Sequence, residues 1–224
     1  YRQPILDCKR DLYAYELLGR GAHPALKASP KEIFALAEAL NAEIELSEIL
    51  RRKSFTLAAA AGLSCPLFFN AHPKEFQNTD RLTLELAELR LSHPHLSLVF
   101  EVHEAAVTDL GVMAWLRDAL RDLEIKLAYD DFGAGQARLL ELIQVPPDYL
   151  KYDLALVNGL ASVDTLTHTA TYKLLSTFNR LLHDLGVMTL AEGIENEATA
   201  KLCLELGTDL LQGFYFGRPA PIEE

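Results

Sequence analysis

Short apolar runs alternate with longer helical patterns along most of the chain. Ser29, Pro30 and Glu32 read as an N-cap, a proline at the first helical position and an acid in the first turn, so they predict a helix that ends near Leu40. Apolar residues at helical spacing predict another helix around 112–123. The other predicted helices cover about 43–61, 81–91, 136–143, 165–185 and 197–206. Strands are predicted at 67–69, 96–102, 125–129, 149–150, 187–191 and 210–211, and a further apolar run covers 13–18.

The strand–helix alternation predicts an α/β protein with a mostly parallel sheet. Eight units in 224 residues average 28 residues each, which is close to the norm for a TIM-type (β/α)8 barrel. An open doubly wound sheet is the alternative, but the GxGxxG or Walker loop that would favour it is absent from the sequence. We therefore favour the barrel. Because the chain begins at Tyr1 rather than Met, we expect residues 1–224 to be a single barrel domain cut from a longer, multidomain protein.

Polar side chains stand where the predicted strands stop. One such residue, Glu16, lies inside the apolar run 13–18. In a parallel barrel the carboxyl ends of the strands open onto one face, where barrel enzymes place their chemistry. We therefore expect these side chains to meet in space although they are far apart in sequence. The strand-end residues are Asn70, Glu101, Asp130, Asp131, Lys151, Glu192 and Gln212.

The acidic residues at that face indicate a bound metal ion. The chain has 21 Lys and Arg against 32 Asp and Glu, a net charge of −11, which disfavours a protein that coats duplex nucleic acid. Carboxylates gathered at one rim repel one another unless a cation neutralises them. Glu, Asp and Asn offer only oxygen ligands, and such sites suit Mg or Mn rather than Zn or Cu. A metal there would bind the phosphate oxygens of an anionic substrate and polarise a water molecule.

Cysteine content and hydropathy indicate the compartment. Cys8, Cys65 and Cys203 are odd in number and widely spaced, which fits a reducing cytoplasm. No apolar run approaches the roughly 18 residues of a membrane span, and nothing resembles a signal peptide. We expect a cytoplasmic domain that makes no membrane contact of its own.

Taken in order, the motifs resemble those of the EAL family of cyclic di-GMP phosphodiesterases over essentially the whole chain. Glu16-Leu17-Leu18 followed by Arg20 stands for the signature Glu-Ala-Leu and its arginine, and Gln3-Pro4-Ile5 resembles the first strand of the family. Each motif alone is weak, whereas the full set in order is specific. The remaining motifs are Phe69-Asn70, Glu101-Val102-His103-Glu104, Asp130-Asp131-Phe132-Gly133-Ala134-Gly135, Lys151-Tyr152-Asp153, Glu192-Gly193-Ile194-Glu195 and Gln212-Gly213-Phe214.

The resemblance implies a modified barrel with one antiparallel strand and hydrolysis of cyclic di-GMP to linear pGpG in bacterial second-messenger signalling. It also implies Mg or Mn as the cofactor, with two ions, a homodimer, and a regulatory domain elsewhere in the full-length protein. Lys151 would hold the attacking water, and Glu192 would be the general base or its metal-linked partner. The metal ligands would be Glu16, Asn70, Glu101 and Asp130, with Asp131 on a second ion; Arg20, Leu18, Glu195 and Gln212 would bind substrate, and Glu104 would support the loop after Asp131.

Several positions depart from the family pattern. His72 replaces a usual Ser, His103 replaces a usual Thr, Gly21 stands where a Trp is common, and the loop 134–138 differs throughout. The altered loop keeps open the alternative of a catalytically inactive domain that acts as a cyclic di-GMP receptor or a protein-interaction module. Retention of five mutually repelling acids favours the hydrolase. We expect His103 to be a packed, hydrogen-bonded side chain rather than a ligand.

Overall fold

Eight strands close into a barrel in which neighbours in sequence are neighbours in space. The computed structural model describes residues 1–21, 29–103, 109–132, 139–152 and 165–222, without the side chains of 139–141 and 165–171. β8 pairs back with β1 and closes the sheet. The strands are β1 (Arg2–Asp7), β2 (Leu12–Leu17), β3 (Leu67–Asn70), β4 (Leu98–His103), β5 (Lys126–Phe132), β6 (Tyr149–Tyr152), β7 (Met188–Ala191) and β8 (Leu210–Gln212).

Helices connect the strands, mostly near the predicted bounds. No helix among the described residues is both long and apolar enough to cross a membrane. Ser29 is the N-cap of the first helix and a proline follows it, although the serine side chain makes no capping hydrogen bond. The helices are α1 (Pro30–Ala39), α2 (Glu43–Ala60), α3 (Thr79–Ser92), α4 (Leu110–Asp122), α5 (Leu139–Gln144), α6 (Thr165–Asp184) and α7 (Glu197–Glu205), with a 3₁₀ helix at Pro73–Gln77.

The first strand runs against all the others. β1 pairs antiparallel with both β2 and β8, whereas every other neighbouring pair is parallel. The predicted TIM-type barrel with one antiparallel strand is therefore confirmed. Seven strands place their carboxyl ends at one rim, and β1 places its amino end there, since Gln3 is the register partner of Glu16.

Side-chain alternation separates an interior core from an outer one. Phe68 belongs to the cluster that fills the barrel, together with one buried residue from each other strand. Phe69, the next residue, packs outward with Phe55 and Phe100 against the helices. The interior cluster is Ile5, Ala14, Phe68, Val99, Ala128, Tyr149, Leu190 and Leu210. Because these residues mark the inward face of every strand, they fix which later residue points into the mouth of the barrel.

The 3₁₀ helix after β3 was not predicted. Its N-cap is His72, whose ring accepts a hydrogen bond from the Lys74 N–H while the Glu75 carboxylate accepts one from the His72 N–H. Five residues are too few for a 3.6-residue pattern to show, so periodicity could not find it. In the predicted helix 136–143, the described part begins at Leu139, and residues 133–138 lie outside the described residues.

Candidate active site

Each side chain at the barrel mouth follows an interior core residue by two positions. Glu16 follows Ala14 on β2 and Lys151 follows Tyr149 on β6, for example. Residues two apart on a strand share a face, so the alternation that packs the core also turns the rim residues inward. The residues that lie two positions after an interior core residue are Glu16, Asn70, Glu101, Asp130, Lys151, Glu192 and Gln212.

The Lys151 ammonium lies among four of these carboxylates. Its Nζ is 2.5 Å from Glu101, 2.7 Å from Glu192, 3.1 Å from Asp130 and 4.0 Å from Glu16. The side chains of Lys151 and Glu101 are 1% and 0% exposed. Residues from five strands or strand ends are thus brought to a single point, as the sequence predicted.

Two amides hold the orientation of Glu16. Asn70 Nδ2 donates to Glu16 Oε1 over 3.2 Å and to Glu101 Oε2 over 2.7 Å. Gln212 Nε2 donates to the other Glu16 oxygen over 2.7 Å. Because Asn70 uses its nitrogen for these bonds, its amide oxygen is the atom that could ligate a cation.

Asp131 joins the site through an unusual backbone conformation. Its φ of +57° lies in the left-handed region, and the β5–β6 register shifts between Tyr129 and Phe132. Asp131 N–H donates to Asp130 Oδ1 over 3.0 Å. Ligand atoms of Asp130, Asp131 and Glu192 all lie within 4.8 Å of one another, so these three could hold one ion. The predicted ligands of one ion were a different group, namely Glu16, Asn70, Glu101 and Asp130. The three acids of that predicted group lie within 4.0 Å of the Lys151 ammonium.

Burial and mutual repulsion shift the acid–base properties of the cluster. Burial, and then the neighbouring acids, raise the pKa of Glu101 well above its usual value against the effect of Lys151. Burial likewise raises the pKa of Glu192 to about 8. Burial lowers the pKa of Lys151, but the surrounding carboxylates, Asp130 first, raise it by more, so the ammonium stays charged.

The donor chemistry fits hard divalent cations. When ionised, the carboxylates of Glu16, Glu101, Asp130, Asp131 and Glu192 leave four negative charges uncompensated by the single ammonium. Two divalent ions would neutralise that charge. All donors in this set are oxygens, which Mg and Mn prefer.

A cleft of about 330 Å³ opens beside the cluster. Glu195 and Gln212, the predicted substrate-binding residues, line it, and so do Gln3 and Phe214, which belong to the quoted motifs but were not predicted as site residues. Gln212 Oε1 is buried and accepts no hydrogen bond from the described residues, so a ligand N–H could use it. Gln3 precedes the core residue Ile5 because β1 is reversed, and that inverted spacing was the signal available in the sequence.

The other predicted residues lie in different surroundings. Leu18 lines a separate cavity of about 260 Å³ between α1, α2 and the end of β3. The Arg20 guanidinium donates to the Gly19 carbonyl over 2.9 Å and lies 5.9 Å from the centre of the Tyr1 ring. Glu104 lies outside the described residues.

The expectation that His103 is packed is wrong, although the side chain does have the polar partner that was expected. His103 is 49% exposed, and its Nε2 lies 2.9 Å from Asp131 Oδ2. The physical reason is its spacing, because His103 follows Glu101 by two residues on β4 and therefore points to the same face.

Fold and site together define an α/β barrel with an acid-lined mouth built around one lysine. The sequence profile of the EAL domain matches residues 1–219. This chain therefore belongs to the EAL domain family.

Named relatives and solved structures agree with that assignment. The chain is 26% identical over 230 residues to the probable cyclic di-GMP phosphodiesterase PdeN of Escherichia coli, covering 99% of this chain and 43% of the relative. It is 27% identical over 221 residues to the cyclic di-GMP phosphodiesterase RocR of Pseudomonas aeruginosa, covering 94% and 54%. The manganese and cyclic di-GMP complex of Klebsiella pneumoniae BlrP1 matches with a TM-score of 0.83 at 29% identity, over 98% of this chain and 55% of that one. The chain thus spans about half the length of these relatives.

Proposed function

We propose that this chain is a metal-dependent phosphodiesterase that hydrolyses one phosphodiester of cyclic di-GMP to give linear pGpG. The observation that carries the proposal is the convergence of four carboxylates from separate strands on the Lys151 ammonium. The names of the relatives supply the substrate, because PdeN and RocR are named for cyclic di-GMP and BlrP1 was solved with it.

Divalent ions are proposed at the carboxylates, with Glu16, Asn70, Glu101 and Asp130 around one and Asp131 on a second. When bound, such ions would polarise the phosphate and lower the pKa of a water molecule. The uncompensated charge of the acids supports two ions, and Mg or Mn suits the oxygen donors. The BlrP1 complexes were obtained with manganese and with calcium.

The residues of the chain position the reaction around those ions. Lys151 would orient the attacking water, and Glu192, 2.7 Å from the Lys151 Nζ, would accept its proton as general base. The water oxygen then bonds to phosphorus, and one ribose oxygen leaves and takes up a proton. Gln212 and Glu195 would bind the substrate from the cleft wall, with the Gln212 oxygen accepting from a guanine N–H. Arg20 and Leu18 are proposed as further substrate contacts and Glu104 as support for the loop after Asp131.

A homodimer, a cytoplasmic location and an attached regulatory domain also belong to this proposal. The homodimer and the regulatory domain derive from the family resemblance and the cytoplasmic location from the cysteine content, and all three stay predictions. The assignment of residues 1–224 to a single barrel domain is a proposal of the same kind.

A time course of cyclic di-GMP with the purified domain and Mn²⁺ tests the proposed activity. We expect pGpG to accumulate with Mn²⁺ or Mg²⁺ and to be absent in EDTA. Glu192→Gln is the matched variant, because it keeps the size of the side chain and removes the base. Its turnover should fall by about 10²- to 10⁴-fold, while calorimetry shows retained cyclic di-GMP binding.

The same measurements separate the alternative function. The divergent loop 134–138 favours a receptor that binds cyclic di-GMP without turnover. Binding with no pGpG at high protein concentration would establish the receptor and refute the hydrolase. Absence of any binding, with or without Ca²⁺, would refute both and leave a protein-interaction module.

A further inference from the structure

We propose that His103 is a nitrogen ligand of the divalent-ion site on its Asp131 side, so that this site favours transition metals over Mg²⁺. The inference rests on the proposed function, since it requires that the rim carboxylates bind an ion. It concerns a residue of this chain at a position where the resembling family usually has a threonine.

The position of His103 on the barrel places it at the rim of the site. It is the last residue of β4 and the register partner of Asp130 on β5. It shares the inward face of Glu101, two residues earlier. The imidazole therefore belongs to the same ring of strand-end side chains as the acids.

The distance between His103 and Asp131 suits two ligands of one ion. Nε2 lies 2.9 Å from Asp131 Oδ2. Donors that are each about 2.1 Å from an ion and at right angles to one another lie roughly 3.0 Å apart. The pair is thus already spaced like two adjacent corners of an octahedron. Its side chains are 49% and 37% exposed, so an ion can reach them from solvent.

Asp131 is the residue that connects His103 to the acids. Its ligand atoms lie within 4.8 Å of those of Asp130 and Glu192, a group that does not include His103. An ion between His103 and Asp131 would therefore bind one imidazole nitrogen and a carboxylate oxygen of Asp131, with water in its other positions. Imidazole suits transition metals such as Co and Zn, whereas Mg prefers oxygen ligands alone. The substitution of a hydroxyl by an imidazole changes the metal preference of the site.

Pulsed electron paramagnetic resonance of the Mn²⁺-loaded domain detects this ligand directly. The domain is stripped with EDTA, loaded with two equivalents of Mn²⁺ so that both proposed sites are filled, and examined for modulation by a ¹⁴N nucleus. We expect nitrogen modulation in the wild type and none in His103→Thr. His95→Thr is the matched control, because His95 is exposed and carries no proposed role; its spectrum should equal that of the wild type.

Metal affinity provides the second readout. Calorimetry should show Co²⁺ affinity falling about tenfold or more in His103→Thr, in line with the cost of changes around metal ligands, while Mg²⁺ affinity changes less than twofold. His103→Gln separates a ligand from a hydrogen-bonding partner of Asp131, since an amide N–H can donate to the carboxylate. We expect His103→Gln to lose Co²⁺ affinity as His103→Thr does.

The outcomes distinguish this inference from the proposed function. Mn²⁺ that binds to the wild type without nitrogen modulation overturns the His103 ligand and leaves the hydrolase intact. Modulation that persists in His103→Thr, or Co²⁺ affinity that His103→Gln preserves, also overturns the ligand. A wild-type domain that binds no Mn²⁺ overturns the metal-dependent function and the ligand together.

Discussion

Replacing Arg51 should lower the free energy of unfolding of this barrel far more than replacing its neighbour in sequence, Arg52. Arg51, on α2, is 1% exposed and lies between Glu75 and Glu85, which are 3% and 4% exposed. Its Nη2 contacts Glu75, its Nε is 3.0 Å from Glu85, and its Nη1 donates to the Asn70 carbonyl over 3.5 Å. The guanidinium thus joins α2, α3 and the 3₁₀ helix behind the end of β3.

The size of the effect follows from the charges left behind. Arg51→Met keeps most of the side-chain volume but removes the close cation from two buried carboxylates, and only the exposed Arg52, 3.9 Å from Glu85, stays near one of them. Breaking a buried ion pair by removing one partner costs about 3–5 kcal/mol. In a chain of this size each kcal/mol lowers the melting temperature by about 2–4 °C, so we expect a fall of roughly 6–20 °C. Arg52→Met is the matched control: Arg52 is 48% exposed, pairs with Glu88 over 3.0 Å at the surface and approaches the buried Glu85 only to 3.9 Å, so we expect its loss to cost about 1 kcal/mol or less.

The stability that Arg51→Met loses relative to the wild type should also depend on pH. Burial raises the pKa of Glu85 above its unfolded value. Such a carboxyl group contributes stability below its unfolded pKa and loses that contribution as the pH rises through its folded pKa. Without Arg51 the folded pKa rises further, so the deficit of Arg51→Met should be larger at pH 8 than at pH 5.

Urea unfolding followed by circular dichroism at both pH values measures these differences. A second variant that combines Arg51→Met with Glu75→Gln and Glu85→Met should recover most of the lost stability, because no buried charge is left unpaired. Equal stability losses in Arg51→Met and Arg52→Met would refute the reasoning.

Three further predictions concern the site, the backbone and the thiols. Asp130→Asn should fold normally and weaken Mn²⁺ binding in a calorimetric titration; an unchanged titration would contradict its role as ligand. Gly213→Ala should cost about 1–3 kcal/mol or more in urea unfolding, since a Cβ there would lie 2.0 Å from a backbone oxygen. Gly186→Ala meets nothing within 4 Å and should cost only the roughly 1–2 kcal/mol of a left-handed φ; the reverse order would be evidence against the clash. A thiol reagent at pH 8 should modify exposed Cys8 and spare Cys203 until the protein is denatured, because burial raises the pKa of Cys203 to about 12. Rapid native labelling of Cys203 would disprove this.

Much of the barrel could be predicted because burial imposes a regular pattern on parallel strands. Each apolar run ends at the rim, so the residue that follows the inward core position is identifiable without coordinates, as for Asn70 and Glu101. The rule does not apply to β1, because this strand runs in the opposite direction. Gln3 was therefore not predicted as a residue of the site. His103 shows the opposite failure, since a spacing of two from Glu101 was enough to place it at the rim.

Features that depend on tertiary contacts could not be predicted by periodicity. Strand alternation would turn Asp131 away from Asp130, but a left-handed φ brings both acids to one side. An arginine on a helix such as α2 is typical of a solvent-exposed face. The burial of Arg51 depends on acids from two distant segments of the chain. Charge patterns within one helix carry no information about such partners.

The lysine at the centre of the rim also bears on what a shortage of metal would do in a cell. Acids crowded together without an internal counter-charge would push an ion-free domain towards unfolding and degradation. Here the Lys151 ammonium already lies between the acids, and the raised pKa values of Glu101 and Glu192 allow protons to offset part of the remaining charge. If the proposed activity holds, metal scarcity would therefore silence the enzyme while the folded protein persists, and renewed supply would restore signalling without new synthesis.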